Sequence, residues 1–204
     1  MKQSLPADST MTRDAQERLQ AFVALLQRWN ARINLVGPAD AAEIWQRHVL
    51  DSVQLGPLLP PGSDPFIDLG TGAGFPGLVL AVLTNRPAHL VESDQRKAAF
   101  LHEAVRLVGV VATVHGTRAE FLQMPPARLI TARALAPLPR LLSLAVPLLA
   151  QNGVCIFPKG STTAAELTAA RQEWHMHLER FPSRTDRNGT ILRLREIRRA
   201  PSHR

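Results

Sequence analysis

Phe66-Ile67-Asp68-Leu69-Gly70-Thr71-Gly72-Ala73-Gly74-Phe75-Pro76-Gly77 is the stretch that decides the fold of this chain. The run Pro65-Phe66-Ile67-Asp68-Leu69 is short and apolar with one acid, which predicts a buried strand. Glycines follow at 70, 72, 74 and 77. Such a loop takes positive φ angles and lets a ligand lie directly on the backbone. The apolar residues 78–83 then predict a helix packed on a sheet, and Pro76 suits a first helical turn because no N–H is needed there. Strand, glycine loop and helix N-terminus together form a cradle for a nucleotide cofactor.

Two fingerprints overlap in this loop. Gly72-x-Gly74-x-x-Gly77 fits dinucleotide binding, and Asp68-x-Gly70-x-Gly72-x-Gly74 fits the first motif of S-adenosylmethionine (SAM) methyltransferases. Asp68 favours the second. A carboxylate facing the site from the strand end would repel a pyrophosphate, yet it suits the ammonium of a methionine, directly or through water.

Downstream, strand and helix patterns alternate. Strands are predicted at 89–92, 111–114, 128–131 and 153–157, and helices at 95–108, 138–149 and 162–171, with a short turn at 117–121. Gly109 ends one helix, and Pro147 must kink or loosen another. Residues 175–181 and 190–197 alternate around Asp186-Arg187-Asn188-Gly189, a hairpin signal. The expected fold is therefore α/β: a doubly wound, mostly parallel seven-stranded sheet closed by a C-terminal antiparallel hairpin.

Upstream, residues 1–11 are expected to be disordered. Thr12 caps a helix whose apolar stripe is Leu19, Phe22, Val23, Leu26, Trp29 and Ile33, and Gly37-Pro38 ends it. A second helix over 40–54 carries Arg47-His48-Val49-Leu50-Asp51-Ser52. Four-residue spacing allows Arg47 to pair with Asp51 and His48 with Ser52; an ordinary surface ion pair beside a helix histidine has the same pattern. Residues 58–62 read as a linker. The predicted division is a helical extension over 1–62 and a cofactor-binding domain over 63–204.

Composition bounds the function. The 204 residues are 45% hydrophobic, enough for one domain with a real core plus an extension. The net charge is +7, from 21 Arg and 3 Lys against 17 acids. Arginine makes bidentate phosphate contacts and stacks on bases, so a polyanionic partner fits; a proteome rich in arginine gives the same bias. Cys155 is alone, which excludes an intramolecular disulfide framework and a cysteine metal cluster, and its apolar run makes it a buried strand residue. The N-terminus has no apolar core of a signal peptide, and the most apolar region, 134–150, holds Arg140 and three prolines, so no span is expected. A cytoplasmic monomer without metal or membrane partner is expected.

Glu92, with Ser93 beside it, ends the second strand, where a carboxylate accepts from both ribose hydroxyls of an adenosine. Ala119-Glu120 follows the third strand, where an adenine edge would lie. Residues 68–77, Arg47-His48-x-x-Asp51-Ser52, Arg118-Ala119-Glu120, Arg133-Ala134 and Pro158-Lys159-Gly160 together resemble the bacterial small-subunit (16S) ribosomal RNA guanine-N7 methyltransferases, also called the glucose-inhibited division protein B family. The resemblance spans roughly residues 19–197. It implies a Rossmann-like methyltransferase sheet and SAM as cofactor, with contacts at Gly70, Phe75, Ala119, Glu120 and Arg133, and Glu92 as the ribose acid. It also implies 16S ribosomal RNA or the small subunit as partner. Ala73 stands where the family often has proline, and the basic tail 193–204 extends past its pattern.

Guanine N7 has a free lone pair at neutral pH, so such chemistry needs placement rather than a proton acceptor. Arg133, at the end of the fourth strand, is the expected catalytic residue. Arg28, Arg32, Arg47, His48 and Lys159 are the expected RNA contacts. Two other classes remain. A nicotinamide oxidoreductase would need a substrate domain for which little chain is left. A non-catalytic ribosome-assembly protein would have little use for an intact glycine loop with both Asp68 and Glu92.

Overall fold

In the computed structural model, which describes residues 11–201, seven strands form one sheet in the order β3-β2-β1-β4-β5-β7-β6. These are β1 (Phe66–Leu69), β2 (Ala88–Val91), β3 (Ala112–His115), β4 (Ala127–Ala132), β5 (Leu149–Lys159), β6 (Trp174–Pro182) and β7 (Thr190–Arg199). The first five pair in parallel, and β7 pairs antiparallel with both β5 and β6. Chain order reverses between β1 and β4, which opens a crevice beyond the carboxyl ends of these strands. The expected disorder of residues 1–11 falls, Met11 apart, outside the described residues, as does the end of the basic tail.

The sheet is buried on both faces. Helices α1 (Arg13–Asn30), α4 (Gly77–Thr84) and α5 (Gln95–Val108) contribute Phe22, Leu78 and Phe100 to one core with Phe66 and Leu129. Helices α6 (Leu138–Ala145) and α7 (Thr163–Glu173) contribute Leu142 and Leu167 to the other, with Ile67 and Ile130. Adjacent strand residues thus face opposite cores, as pleating requires. Cys155 lies fully buried in the second core, and burial pushes its thiol pKa up.

The N-terminal helix shares the first core. Thr12 Oγ accepts from Ala15 N at 3.2 Å, which caps α1. At the far end of α5, Arg18 donates to the carbonyls of Val108 at 2.6 Å and Gly109 at 3.3 Å, so α1 satisfies carbonyls that a helix end leaves open.

Besides α1, which stops at Asn30 short of the end expected at Gly37-Pro38, two elements differ from expectation. The single helix expected over 40–54 is α2 (Ala41–Ile44), a wider π turn (Trp45–Val49) and α3 (Leu50–Val53). The helix expected over 138–149 stops at Ala145, tightens into a 3₁₀ turn (Val146–Leu148), and lets β5 begin at Leu149. Pro147 explains the second, since it has no N–H to continue the ladder.

Candidate active site

Asp68 lies under the glycine loop rather than on its open side. It is 0% exposed. Its Oδ2 accepts from Gly77 N at 2.9 Å and its Oδ1 from the Thr131 hydroxyl at 2.7 Å. Burial pushes its carboxyl pKa up, while Thr131 and Gly77 pull the other way. The carboxylate therefore ties the loop to the start of α4 and to β4, and it is not among the groups lining the cavity above. The sequence reading has this carboxylate facing the cofactor site; in the structure strand pleating and the closing helix turn it inward. Gly77 must be bare, because a Cβ there would stand 2.6 Å from Asp68 and from Leu90.

Above the loop is a cavity of about 460 Å³, within the range of small-molecule sites. Gly70, Gly72 and Phe75 line it, with Glu92 and Ser93 after β2, Ala119 and Glu120 after β3, and Arg133 after β4. Of the expected loop residues, Gly74 does not; its ideal Cβ would meet Leu78 and Leu101. Gly72 has φ +58°, and beyond its two chain neighbours no protein atom is nearer to its ideal Cβ than Gly70 O at 3.9 Å, so its bare backbone borders the cavity. Glu92 Oε2 accepts from Gly72 N at 3.0 Å and Oε1 from Asp94 N at 2.7 Å, which holds the carboxylate in place while each oxygen keeps a further lone pair. Glu120 pairs with Arg140; its own backbone N–H, then Arg140, hold its pKa below the usual range. Sequence reading missed Leu35, Val36, Lys97 and Arg140 in this lining, since none falls in a motif.

Arg133 is the centre of the next layer. Its Nη1 donates to Asp51 Oδ2 at 3.1 Å and to the Arg47 carbonyl at 3.3 Å, and its Nη2 lies 2.9 Å from His48 Nδ1. Arginine only donates, so Nδ1 accepts and the ring proton sits on Nε2. Burial first, then the Arg133 and Arg47 cations, lower the His48 pKa to about 4, so the imidazole is neutral at pH 7. The His48 ring stacks on Phe75 at 5.1 Å, and Arg133 Cζ sits 5.3 Å from the same ring's centroid.

The pairs expected within the helical motif are corrected. Asp51 goes to Arg133 instead of Arg47, and the Ser52 hydroxyl donates to the His48 carbonyl at 2.7 Å instead of the His48 ring. In the π turn the ladder runs from Leu50 N to Trp45 O, five residues back.

A second cavity of about 810 Å³ shares the wall of residues 133–136 with the first. Arg47, His48 and Asp51 line one side, Pro158 and Gly160 another, and the β6–β7 turn a third. In the shared wall Ala134 has φ +54°, a strained value for alanine, and Leu135 borders both cavities. Lys159, expected as an RNA contact, is turned inward. Its side chain is 7% exposed, and its Nζ bonds Glu166 Oε2 at 2.8 Å and the Ala136 carbonyl at 2.7 Å, so it braces this wall. Arg47 is exposed at the second cavity, Arg32 lines a smaller cleft with Asp94, Arg96 and Lys97, and Arg28 is exposed in the last turn of α1.

Residues 15–188 match the model of a family described as rRNA small subunit methyltransferase G. A protein of Rhodospirillum centenum named ribosomal RNA small subunit methyltransferase G is 54% identical over 187 residues, covering 92% of this chain and 87% of its own length. One of the same name from Gluconobacter oxydans is 51% identical over 191 residues, covering 94% and 98%. Among solved structures, cofactor-bound Rv0187 from MTB matches at a TM-score of 0.58 and 15% identity, over 88% of this chain and 90% of that one. TYW2 of P. horikoshii, solved with MeSAdo, matches at 0.58 and 14%, over 74% and 62%. Both share the fold.

Proposed function

This chain belongs to the rRNA small subunit methyltransferase G family, and from that premise we propose that it transfers a methyl group from SAM to N7 of a guanine in small-subunit (16S) ribosomal RNA. The cavity over the glycine loop has the features this cofactor needs: bare backbone at Gly72, and a fixed carboxylate at Glu92 with lone pairs to spare. Gly70 and Gly72 would hold the methionine end, Glu92 the ribose hydroxyls, and Ala119 with Glu120 the adenine edge. When bound, SAM supplies an activated methyl group carried on a positively charged sulfur.

The observation that carries the choice of acceptor is the state of the groups around the shared wall. Asp51 is committed to Arg133, the His48 Nδ1 lone pair to the same guanidinium, and Glu166 to Lys159. A hydroxyl or exocyclic amine as acceptor would call for a group ready to take a proton. Guanine N7 has its lone pair free and calls only for placement. Arg133, oriented on three sides and backed by Phe75, presents fixed dipoles between the two cavities, and the second cavity receives the base. Arginine is also suited to guanine O6 beside N7. The exposed Arg28, Arg32 and Arg47 contact the RNA backbone and position it.

The test is mass mapping of small-subunit RNA, and of assembled subunits, after incubation with the protein and SAM. One guanine should gain a methyl whose position makes the strand labile to reductive cleavage, as N7-methylguanine does. Methyl transfer to another base, or to an exocyclic nitrogen, would overturn the proposal.

A further inference from the structure

We infer that Gln54 is a positioning residue of the acceptor side: it locks the β6–β7 turn onto Asp51 and, through Asp51, sets the Arg133 guanidinium. This rests on the reading of the second cavity as the place of the acceptor base. Gln54 is 6% exposed and precedes fully buried Leu55, at a depth where an apolar residue would be ordinary. A buried amide is costly unless its bonds are made. Here they are made to a segment about 130 residues away. Gln54 Oε1 accepts from Arg184 N at 2.8 Å, which orients the amide. Its Nε2 then faces Asp51 Oδ1 at 2.8 Å and the Ser183 and Thr185 hydroxyls at 3.1 Å each.

Thr185 completes the link, donating to Asp51 Oδ1 at 2.6 Å. One oxygen of Asp51 is thus held by the turn and by Gln54, and the other holds Arg133. The same turn supplies Ser183, Thr185, Asp186 and Gly189 to the wall of the second cavity. A displacement of the turn therefore changes the shape of that cavity and the orientation of Arg133 together. The cofactor cavity is lined by none of these turn residues and meets this link only at Arg133, so its glycine loop and Glu92 are left as they were.

The experiment uses Gln54→Met, which keeps volume and removes the bonds, Thr185→Val, and the double variant. Turnover and KM for small-subunit RNA, SAM affinity by calorimetry, and the His48 imidazole titration by NMR are measured on each. Turnover should fall about ten- to a hundredfold, the scale of a small misplacement. SAM affinity should stay within about threefold, and the double variant should lose less than the two singles combined. The His48 pKa should rise from about 4 towards its ordinary value as Arg133 loosens. Wild-type turnover, or an unchanged His48 titration, in folded Gln54→Met reduces Gln54 to a strut and overturns the inference. If Gln54→Met does not fold, Thr185→Val decides by the same two readouts. If the wild-type protein leaves ribosomal guanine unmodified, it is the proposed acceptor that fails, and the His48 titration alone decides the coupling.

Discussion

Replacing Asp68 separates two roles that a motif acid can have. In the structure its carboxylate is sealed beneath the loop and makes two bonds, to Gly77 N and to the Thr131 hydroxyl. Asn can make both, with its oxygen accepting from Gly77 and its amide donating to Thr131 Oγ. It also removes a charge whose ionised form burial disfavours. Asp68→Asn should therefore stay within about 1 kcal/mol of wild-type stability and within about threefold in SAM affinity. Asp68→Ala leaves a buried N–H and a buried hydroxyl unpaired, at about 1–3 kcal/mol each, so about 2–6 kcal/mol in all. For a domain of this size that is a fall in Tm of about 4–24 °C. Were the carboxylate instead in contact with the cofactor's ammonium, the Asn variant would lose a charge-assisted bond and bind SAM about ten- to a hundredfold more weakly. Urea denaturation and calorimetry on both variants decide. A stable Asp68→Asn protein that has lost SAM affinity would refute the buried-anchor assignment.

Glu92→Ala should weaken SAM and its demethylated product together by about ten- to a hundredfold, since both share the ribose, and calorimetry with each ligand checks this. The depressed His48 pKa gives a pH dependence: the folded protein resists protonating a ring that an unfolded chain protonates near pH 6.5, so the contribution is whole above that pH and is lost as pH falls towards 4. Stability of wild type over His48→Gln should accordingly narrow between pH 7.5 and 4.5 in urea denaturation; a constant difference would contradict it. Replacing Arg28, Arg32 and Arg47 by glutamine should lower RNA affinity and reduce the salt slope by about 0.7 in log–log terms per lost single-strand phosphate contact. SAM affinity and Tm should hold near wild type, and an unchanged slope would move the RNA surface elsewhere, to the arginines of β7.

What the sequence alone determined about this protein is what neighbouring residues control. The glycines at 70, 72 and 74 supply the positive φ angles of a tight loop between strand and helix, the period-two and period-3.6 patterns separate strands from helices, and Asp186 to Gly189 close a hairpin. Such signals depend on backbone dihedrals a few residues long, so they survive without tertiary information. The resemblance carried by Arg47 to Ser52 and by Arg133-Ala134 named the residues of the central cluster but not their bonds.

Only the tertiary structure decided which partner each charged or polar side chain takes. Asp51 had Arg47 four residues away, yet it pairs with Arg133, 82 residues on, which the fold brings to it from the end of β4. Lys159 looked like a free cation at a strand end, yet Glu166 and the Ala136 carbonyl enclose it. Gln54 carried no signal at all, since its role exists only where the hairpin turn folds back on it. Asp68 was expected to face the cofactor site, and it lies beneath the loop instead. Local sequence specifies that an acid ends the strand, and the packing of α4 and β4 against it specifies which way the acid faces.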